Sequence, residues 1–327
     1  MMTYWADGVI ITVRLLRELF PKVPVVLGGI AVQLLPEYFS VELPDVTLYE
    51  KRLPVHGETI SFPGIDPILS APEHFSLLNG FKRSQPHPHG PVLSSLGCPM
   101  RCTYCASARL QPTFVQRSPD SVLEELSLMV ECLSIVDFAF YDDALLVNSE
   151  DLLVPLLHGI IERQWKIRLH TPNGLHIRYL TKPLLDLMKK AGFTTLRFGY
   201  ESGIHKNRLM TDGKTDVLMM RVLLEQLREY HFPDVGIYLM GGLPGGTPEE
   251  LADEMQAVAL LGAKVKPVFL SPVPGTPLFE HYLKDFPELA DNPHWQNDTF
   301  FITRLPGWGD EAVERIRILA RKLNGSM

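Results

Sequence analysis

The 327-residue sequence has few cysteines, no excess of basic residues and no long apolar run. Three of its four cysteines fall within eight residues, which in a reducing compartment indicates metal ligands rather than a disulfide framework. The formal net charge of −7 gives no basic footprint and disfavours a nucleic-acid substrate. No run reaches the ~20 apolar residues that span a bilayer, and the N-terminus lacks a charged segment followed by an apolar signal core. We therefore expect a cytoplasmic protein with no membrane partner.

The clustered cysteines follow the pattern Cys98-x-x-x-Cys102-x-x-Cys105, so one loop can hold one metal centre. Electron-carrying iron-sulfur clusters use four cysteines, and the remaining Cys132 lies far away in a helix-like run. The spacing therefore predicts a centre with one open coordination position. The alternatives are a structural zinc, with His87 or His89 as fourth ligand, and three reduced cysteines in a core.

This spacing, with Tyr104 directly before the third cysteine, resembles the radical S-adenosylmethionine (SAM) enzymes. The resemblance implies a 4Fe-4S cluster held by Cys98, Cys102 and Cys105, whose fourth iron binds the amino and carboxylate groups of SAM. In that family the reduced cluster cleaves SAM to a 5′-deoxyadenosyl radical, which abstracts hydrogen from a substrate, here unidentified. The resemblance also implies an electron donor such as ferredoxin or flavodoxin. The alternative is a non-catalytic iron-sulfur or zinc-binding protein on the same scaffold.

From Val92 onwards, short apolar runs alternate with helical patterns, which is typical of βα units around a parallel sheet. Helix starts are predicted at Ser118, at Ser149 and at the capping box Thr247-Pro248-Glu249-Glu250. The six predicted strands lie near 92–96, 135–141, 166–171, 194–200, 234–240 and 265–271. Six such units resemble the partial (βα)6 TIM-type barrel of the family. We assign residues 91–285 to the barrel and 286–327 to a C-terminal extension with an amphipathic helix over about 310–323.

Residues 1–50 are predicted to be a truncated, Rossmann-like α/β remnant. A helical pattern covers 9–20, Val25–Gly29 predicts a short strand, and residues 1–5 are predicted to be the tail of a preceding strand. The run resembles the second half of the cobalamin-binding domain that precedes the barrel in many relatives. No Asp-x-His-x-x-Gly occurs, so cobalamin is unlikely, although a cobalamin-dependent methyltransferase or a methylthiotransferase remains an alternative. The open sheet edge predicts self-association through residues 1–50. The proline-rich segment 51–90 is predicted to be a linker.

Polar residues that close the predicted strands are candidates for the SAM site, because barrel sites gather at the carboxyl ends of the strands. Asp142 and Asp143 close the second strand, in a region that binds the SAM amino group in the family. One could bind a cation while the other caps the loop, or both could cap the loop. Asn173 follows the third strand and could contact SAM or substrate. His170 and His176 are weaker candidates there.

The later strands give four further candidates. Glu201 closes the fourth strand, where a carboxylate could accept two ribose hydroxyls or could pair with Arg197. Gly242 and Leu243, in a Gly-Leu-Pro-Gly run, resemble the family's SAM-binding turn, although a plain turn is the alternative. Pro274 lies after the sixth strand, where backbone could meet adenine.

Overall fold

The computed structural model describes residues 3–51, 59–62, 65–69, 89–201 and 217–325. The chain forms two compact units. The first contains Met1–Ser84, Tyr104–Leu110 and Ser271–Phe301; the second, which we call the sheet unit, contains Gln85–Thr103, Gln111–Leu270 and Ile302–Met327. None of the helices in these described ranges is long and apolar enough to cross a membrane.

Helices and strands alternate through most of the chain. The strands are β1 (Val26–Gly28), β2 (Thr47–Tyr49), β3 (Thr59–Phe62), β4 (Ile65–Leu69), β5 (His89–Val92), β6 (Ser95–Leu96), β7 (Val115–Gln116), β8 (Asp137–Phe140), β9 (Arg168–His170), β10 (Phe193–Glu201), β11 (Asp234–Gly241) and β12 (Lys264–Phe269). The α-helices are Ala6–Leu19, Ile30–Leu34, Pro36–Glu42, Ser107–Leu110, Pro119–Leu133, Leu153–Glu162, Lys182–Ala191, Val217–Tyr230, Pro248–Leu260, Pro277–Leu283, Glu288–Asp291, Asp298–Ile302 and Asp310–Gly325.

The sheet unit is built on six parallel strands in the order β12-β11-β10-β9-β8-β5. Each described neighbour pair is parallel, and β5 and β12 are the two edges of this open sheet. The predicted number of strands and their parallel arrangement are confirmed, with one shift. The predicted first strand at 92–96 is divided, since His89–Val92 joins the large sheet while Ser95–Leu96 pairs antiparallel with Val115–Gln116.

Helix ends follow local side-chain chemistry where it is present. Ser118 accepts a hydrogen bond from Ser121 N, and Thr247 and Glu250 form the predicted capping box. The start predicted at Ser149 is wrong. That helix begins at Leu153, because the residues before it form turns, in which Asp151 N donates to the main-chain oxygen of Asn148 rather than to the Ser149 hydroxyl.

The first unit contains the two-stranded parallel sheet of β1 and β2 and a small core. The buried members of that core are Ala6, Ile10, Val13, Ala31, Val32, Phe39, Leu43 and Val46. The strand tail predicted for residues 1–5 is wrong, since Thr3–Trp5 forms a 3-10 turn that runs into the helix Ala6–Leu19. Self-association through this region stays a prediction.

The segment predicted to be a linker contains an antiparallel pair of strands, β3 and β4. The remaining residues of that segment, including His87, lie largely outside the described ranges. The zinc alternative that used His87 therefore stays untested, and His89 is placed at the start of β5.

Candidate functional site

The cysteine loop begins at a position that requires glycine. Gly97 has φ +78°, and a Cβ there would lie 2.9 Å from the main-chain oxygen of Gln111. The pairing of β6 with β7 then ties the chain before the cysteines to the chain after them. Cys98 and Cys102 are half-buried and Cys105 is exposed, so a group bound to this loop could be reached from solvent.

The three thiols fit the donor set of an iron-sulfur cluster. No disulfide joins any of the four cysteines, all of which are described. Across the described ranges no three His, Cys, Asp or Glu side chains converge as ligands of a single metal ion. A four-iron cluster requires a wider arrangement, because each thiolate binds its own iron. Cys132 is exposed at the end of the helix Pro119–Leu133, far along the chain from the loop.

His176 lies beside the cysteine loop. Its Nε2 is 3.9 Å from Cys98 Sγ, and the histidine is 4% exposed. Three residues later the hydroxyl of Tyr179 lies 3.8 Å from Met100 Sδ. The segment that follows β9 therefore packs against the first part of the loop. His176 was one of the weaker sequence candidates, and the structure brings it into contact with a predicted cluster ligand.

Asp142 joins the end of β8 to the residues that lead into the cysteine loop. Its carboxylate accepts hydrogen bonds from Ser94 N (3.2 Å), Ser94 Oγ (2.8 Å) and Ser95 Oγ (2.6 Å). Burial raises the pKa of Asp142 above its ordinary value, and the bonds from the serines oppose that rise. The bonds also explain why the chain leaves the large sheet after Val92. The serines were missed by sequence reasoning, although two hydroxyl side chains directly after a predicted strand were a usable signal.

The neighbouring Asp143 is exposed, whereas Asp142 is 4% exposed. Adjacent residues in extended chain point in opposite directions, as the sequence predicts for this pair. Asn173 supports the same strand end, since its Nδ2 donates to the main-chain oxygens of Tyr141 (2.8 Å) and Asp142 (3.3 Å). Asn173 therefore joins the ends of β8 and β9.

Glu201 closes β10 and is 5% exposed, with a φ of +65° that is uncommon for a residue other than glycine. The pairing of β10 with β11 shifts register between Gly199 and Glu201. Arg197, its alternative partner, forms an ion pair with Asp234. The structure therefore gives Arg197 a carboxylate partner other than Glu201.

The glycine turn after β11 is closely packed. Gly242 has φ +88°, and a Cβ there would lie 2.7 Å from Ile302 Cδ1. Leu243 is buried. Two physical demands, a left-handed backbone and a tight approach, thus require this glycine whether or not a ligand binds.

The candidates are divided between the two units. Tyr104, Cys105 and Pro274 belong to the first unit, where Pro274 is buried and Tyr104 is half-buried. The other candidates belong to the sheet unit; they are Cys98, Cys102, Asp142, Asp143, Asn173, Glu201, Gly242 and Leu243. Their roles in binding a cofactor stay predictions.

The Radical SAM superfamily profile matches residues 92–258, which is just over half of the chain. The chain belongs to the radical SAM superfamily. Membership carries with it a 4Fe-4S cluster and SAM as cofactors. It also confirms the predicted fold class.

Individual relatives include methyltransferases. An uncharacterized methyltransferase of Pyrococcus horikoshii is 25% identical over 241 residues, covering 70% of this chain and 50% of the relative. The hopanoid C-2 methylase of Rhodopseudomonas palustris is 23% identical over 337 residues, covering 91% of this chain and 61% of the relative. The chain thus spans between half and two thirds of the length of these relatives.

Among solved structures, the radical SAM methyltransferase TsrM of Kitasatospora setae, with cobalamin and a [4Fe-4S] cluster bound, has a TM-score of 0.66. It is 16% identical and covers 87% of this chain and 62% of its own. At this identity the likeness shows the fold. The prediction that cobalamin is unlikely is not confirmed, because a neighbour of the same fold carries it.

Proposed function

We propose that the chain is the SAM-cleaving part of a radical SAM enzyme acting on an unidentified substrate. The observation that carries the proposal is the Cys98-x-x-x-Cys102-x-x-Cys105 loop, whose three cysteines are thiols on a strand-anchored, solvent-accessible segment. Cys98, Cys102 and Cys105 would hold the cluster, which would supply the one electron needed to cleave the C5′–S bond of SAM to methionine and a 5′-deoxyadenosyl radical, the species that would take hydrogen from the substrate. A reduced ferredoxin or flavodoxin is the proposed electron donor.

The two aspartates at the end of β8 have different proposed roles. Asp142 already accepts three hydrogen bonds from Ser94 and Ser95, so its role is to hold the start of the cysteine loop. Asp143 is exposed and is the better acceptor for the SAM ammonium group. Glu201 is proposed to accept the vicinal ribose hydroxyls.

The test uses the full chain after anaerobic reconstitution with iron and sulfide. Cys98→Ala, Cys102→Ala and Cys105→Ala should each abolish the brown absorbance of the cluster and the formation of 5′-deoxyadenosine. Cys132→Ala is the matched control and should retain both. Loss of the cluster in Cys132→Ala alone would show that the open-iron assignment is wrong.

Cobalamin-dependent methyl transfer is the second candidate function. The relatives named as methyltransferases and the fold shared with a cobalamin-bound enzyme favour it. The absence of Asp-x-His-x-x-Gly from the sequence argues against histidine-ligated cobalamin. Reconstitution in the presence of cobalamin should therefore give no stoichiometric cobalamin spectrum. A stoichiometric spectrum would favour methyl transfer instead.

A further inference from the structure

The six-stranded sheet has one face that carries mostly charged and polar side chains. Along its strands, residues of one parity are fully buried; they are Phe138, Leu169, Leu196, Ile237 and Val265. Side chains of the other parity point to the opposite face, because neighbours on a strand alternate. These are Asp137, Arg168, His170, Thr195, Arg197, Asp234, Lys264 and Lys266, and strand register places them side by side. We call them the polar face.

One half of the polar face is balanced in charge. Arg168 donates two hydrogen bonds of 2.5 Å to the carboxylate of Asp137. His170 Nε2 lies 3.1 Å from the same carboxylate, and its Nδ1 lies 2.9 Å from Thr195 Oγ1. Each charge in this group therefore has a partner, which makes it a scaffold rather than an open site.

The other half has more positive than negative charge. Asp234 is the shared carboxylate of Arg197 and Lys264, whose Nζ lies 2.9 Å from Asp234 Oδ1. Lys266 follows two residues after Lys264 on the same face, and in the part of the chain that the structure describes no carboxylate is paired with it. Arg197 and Lys264 thus share one carboxylate, and Lys266, which pairs with Tyr238 in the register, adds a further positive charge on the same face.

A glycine makes room for Arg197 in this group. Gly236 lies between Arg197 and Lys264 in the strand register. A Cβ at Gly236 would lie 3.1 to 3.2 Å from Cδ, Nε and Nη1 of Arg197, so the glycine lets the arginine lie across β11. A half-buried excess of cations is unfavourable in an apolar contact and favourable beside an anion.

We propose that the polar face binds an anionic group, a carboxylate or a phosphate, between Arg197, Lys264 and Lys266, and that this group belongs to the substrate. Assigning the anion to the substrate rests on the proposed function, whereas anion binding itself does not. Nη1 of Arg197 donates to the main-chain oxygens of Leu196 and Asp234, and Nη2 pairs with the Asp234 carboxylate. This guanidinium therefore contributes fixed positive charge, and the two lysines make the adaptable contacts with the anion. The site therefore selects an acidic substrate over a neutral or wholly apolar one.

The experiment measures anion binding by the cluster-free full chain with calorimetry. Pyrophosphate and succinate serve as the phosphate and carboxylate probes. Lys266→Gln should lower the affinity for the preferred probe by about 5- to 10-fold. Lys190→Gln, an exposed lysine on the helix Lys182–Ala191, is the matched control and should leave it unchanged. Asp234→Asn should raise the affinity, because it removes the competing carboxylate.

Three results would overturn the inference: no saturable binding of either probe, an equal loss in Lys266→Gln and Lys190→Gln, or weaker binding in Asp234→Asn with Lys266→Gln unchanged. Circular dichroism of each variant checks that the fold is retained. The proposed function is judged separately, since 5′-deoxyadenosine formation by the reconstituted protein does not depend on this anion. If the protein cleaves SAM but binds neither probe, the proposed function stands and only the inference of an acidic substrate is wrong.

Discussion

The two faces of the six-stranded sheet carry different kinds of side chain, apolar on one and charged on the other. The two faces of the sheet in a closed barrel are more alike. In closed TIM barrels both faces are packed, and layers of branched apolar side chains fill the interior. Here one face presents fully buried Phe138, Leu169 and Ile237, while the other presents the ion pairs of Asp137 and Asp234. On the second face several charged side chains remain partly exposed, among them Arg168 and Lys264. Stability is therefore expected to depend on one face and ligand recognition on the other.

The largest expected effect is on the buried face. Phe138→Ala should lower the free energy of unfolding by about 3 to 5 kcal/mol, because it removes a fully buried ring and leaves a cavity. Arg168→Ala, on the next strand and the polar face, should cost much less, because its ion pair with Asp137 is exposed to solvent. Urea denaturation of the two variants measures the difference. Similar losses of unfolding free energy in the two variants would show that stability does not depend mainly on the apolar face.

The next largest effect concerns the carboxyl end of β10. Glu201→Gln should weaken SAM binding by about 10- to 100-fold, because it removes one charge-assisted acceptor. Anaerobic calorimetry on the reconstituted protein measures this, and iron content should be unchanged. Glu225→Gln, exposed on the helix Val217–Tyr230, is the control. Unchanged SAM affinity in Glu201→Gln would remove this residue from the site.

The adjacent residues Asp142 and Asp143 allow the same comparison between a role in stability and a role in ligand binding. Asp142→Ala should cost about 1 to 3 kcal/mol of stability, because donors of Ser94 and Ser95 lose a buried acceptor. Asp143→Ala should leave stability nearly unchanged and weaken SAM binding instead. Thermal unfolding and calorimetry on both variants separate the roles. If both variants lost only stability, the ammonium would need another acceptor.

The sequence alone predicted the strands of the large sheet because their apolar residues alternate or cluster between clear turn signals. It also predicted the capping box at Thr247, which depends on neighbours three residues apart. Both features are local. The family was likewise evident from a spacing within eight residues.

Interactions across the sheet could not be predicted in the same way. Asp137 and Arg168 are 31 residues apart, and they meet only because β8 and β9 pair in one particular register. The contact of Cys98 with His176 spans 78 residues. The wrong prediction at Thr3–Trp5 has a local cause, because a short apolar run is compatible with either a strand or a helical turn.

The smallest expected effect is the pH dependence contributed by Asp137. Hydrogen bonds from Arg168, and less strongly from His170, lower the pKa of Asp137 to about 2, although burial opposes the shift. A carboxylate with a lowered pKa stabilises the fold above its unfolded value, near 3.9, and this contribution disappears as the pH falls through 2. The pair is partly exposed to solvent, so screening limits the contribution to about 1 kcal/mol.

The free energy of unfolding of the wild type should therefore exceed that of Asp137→Asn at pH 5, and the difference should vanish near pH 2. Asp253→Asn, exposed on the helix Pro248–Leu260, should show no such convergence. A difference that stayed constant between pH 5 and pH 2 would mean that Asp137 contributes packing rather than charge, and the balanced half of the polar face would not be held by its ion pairs.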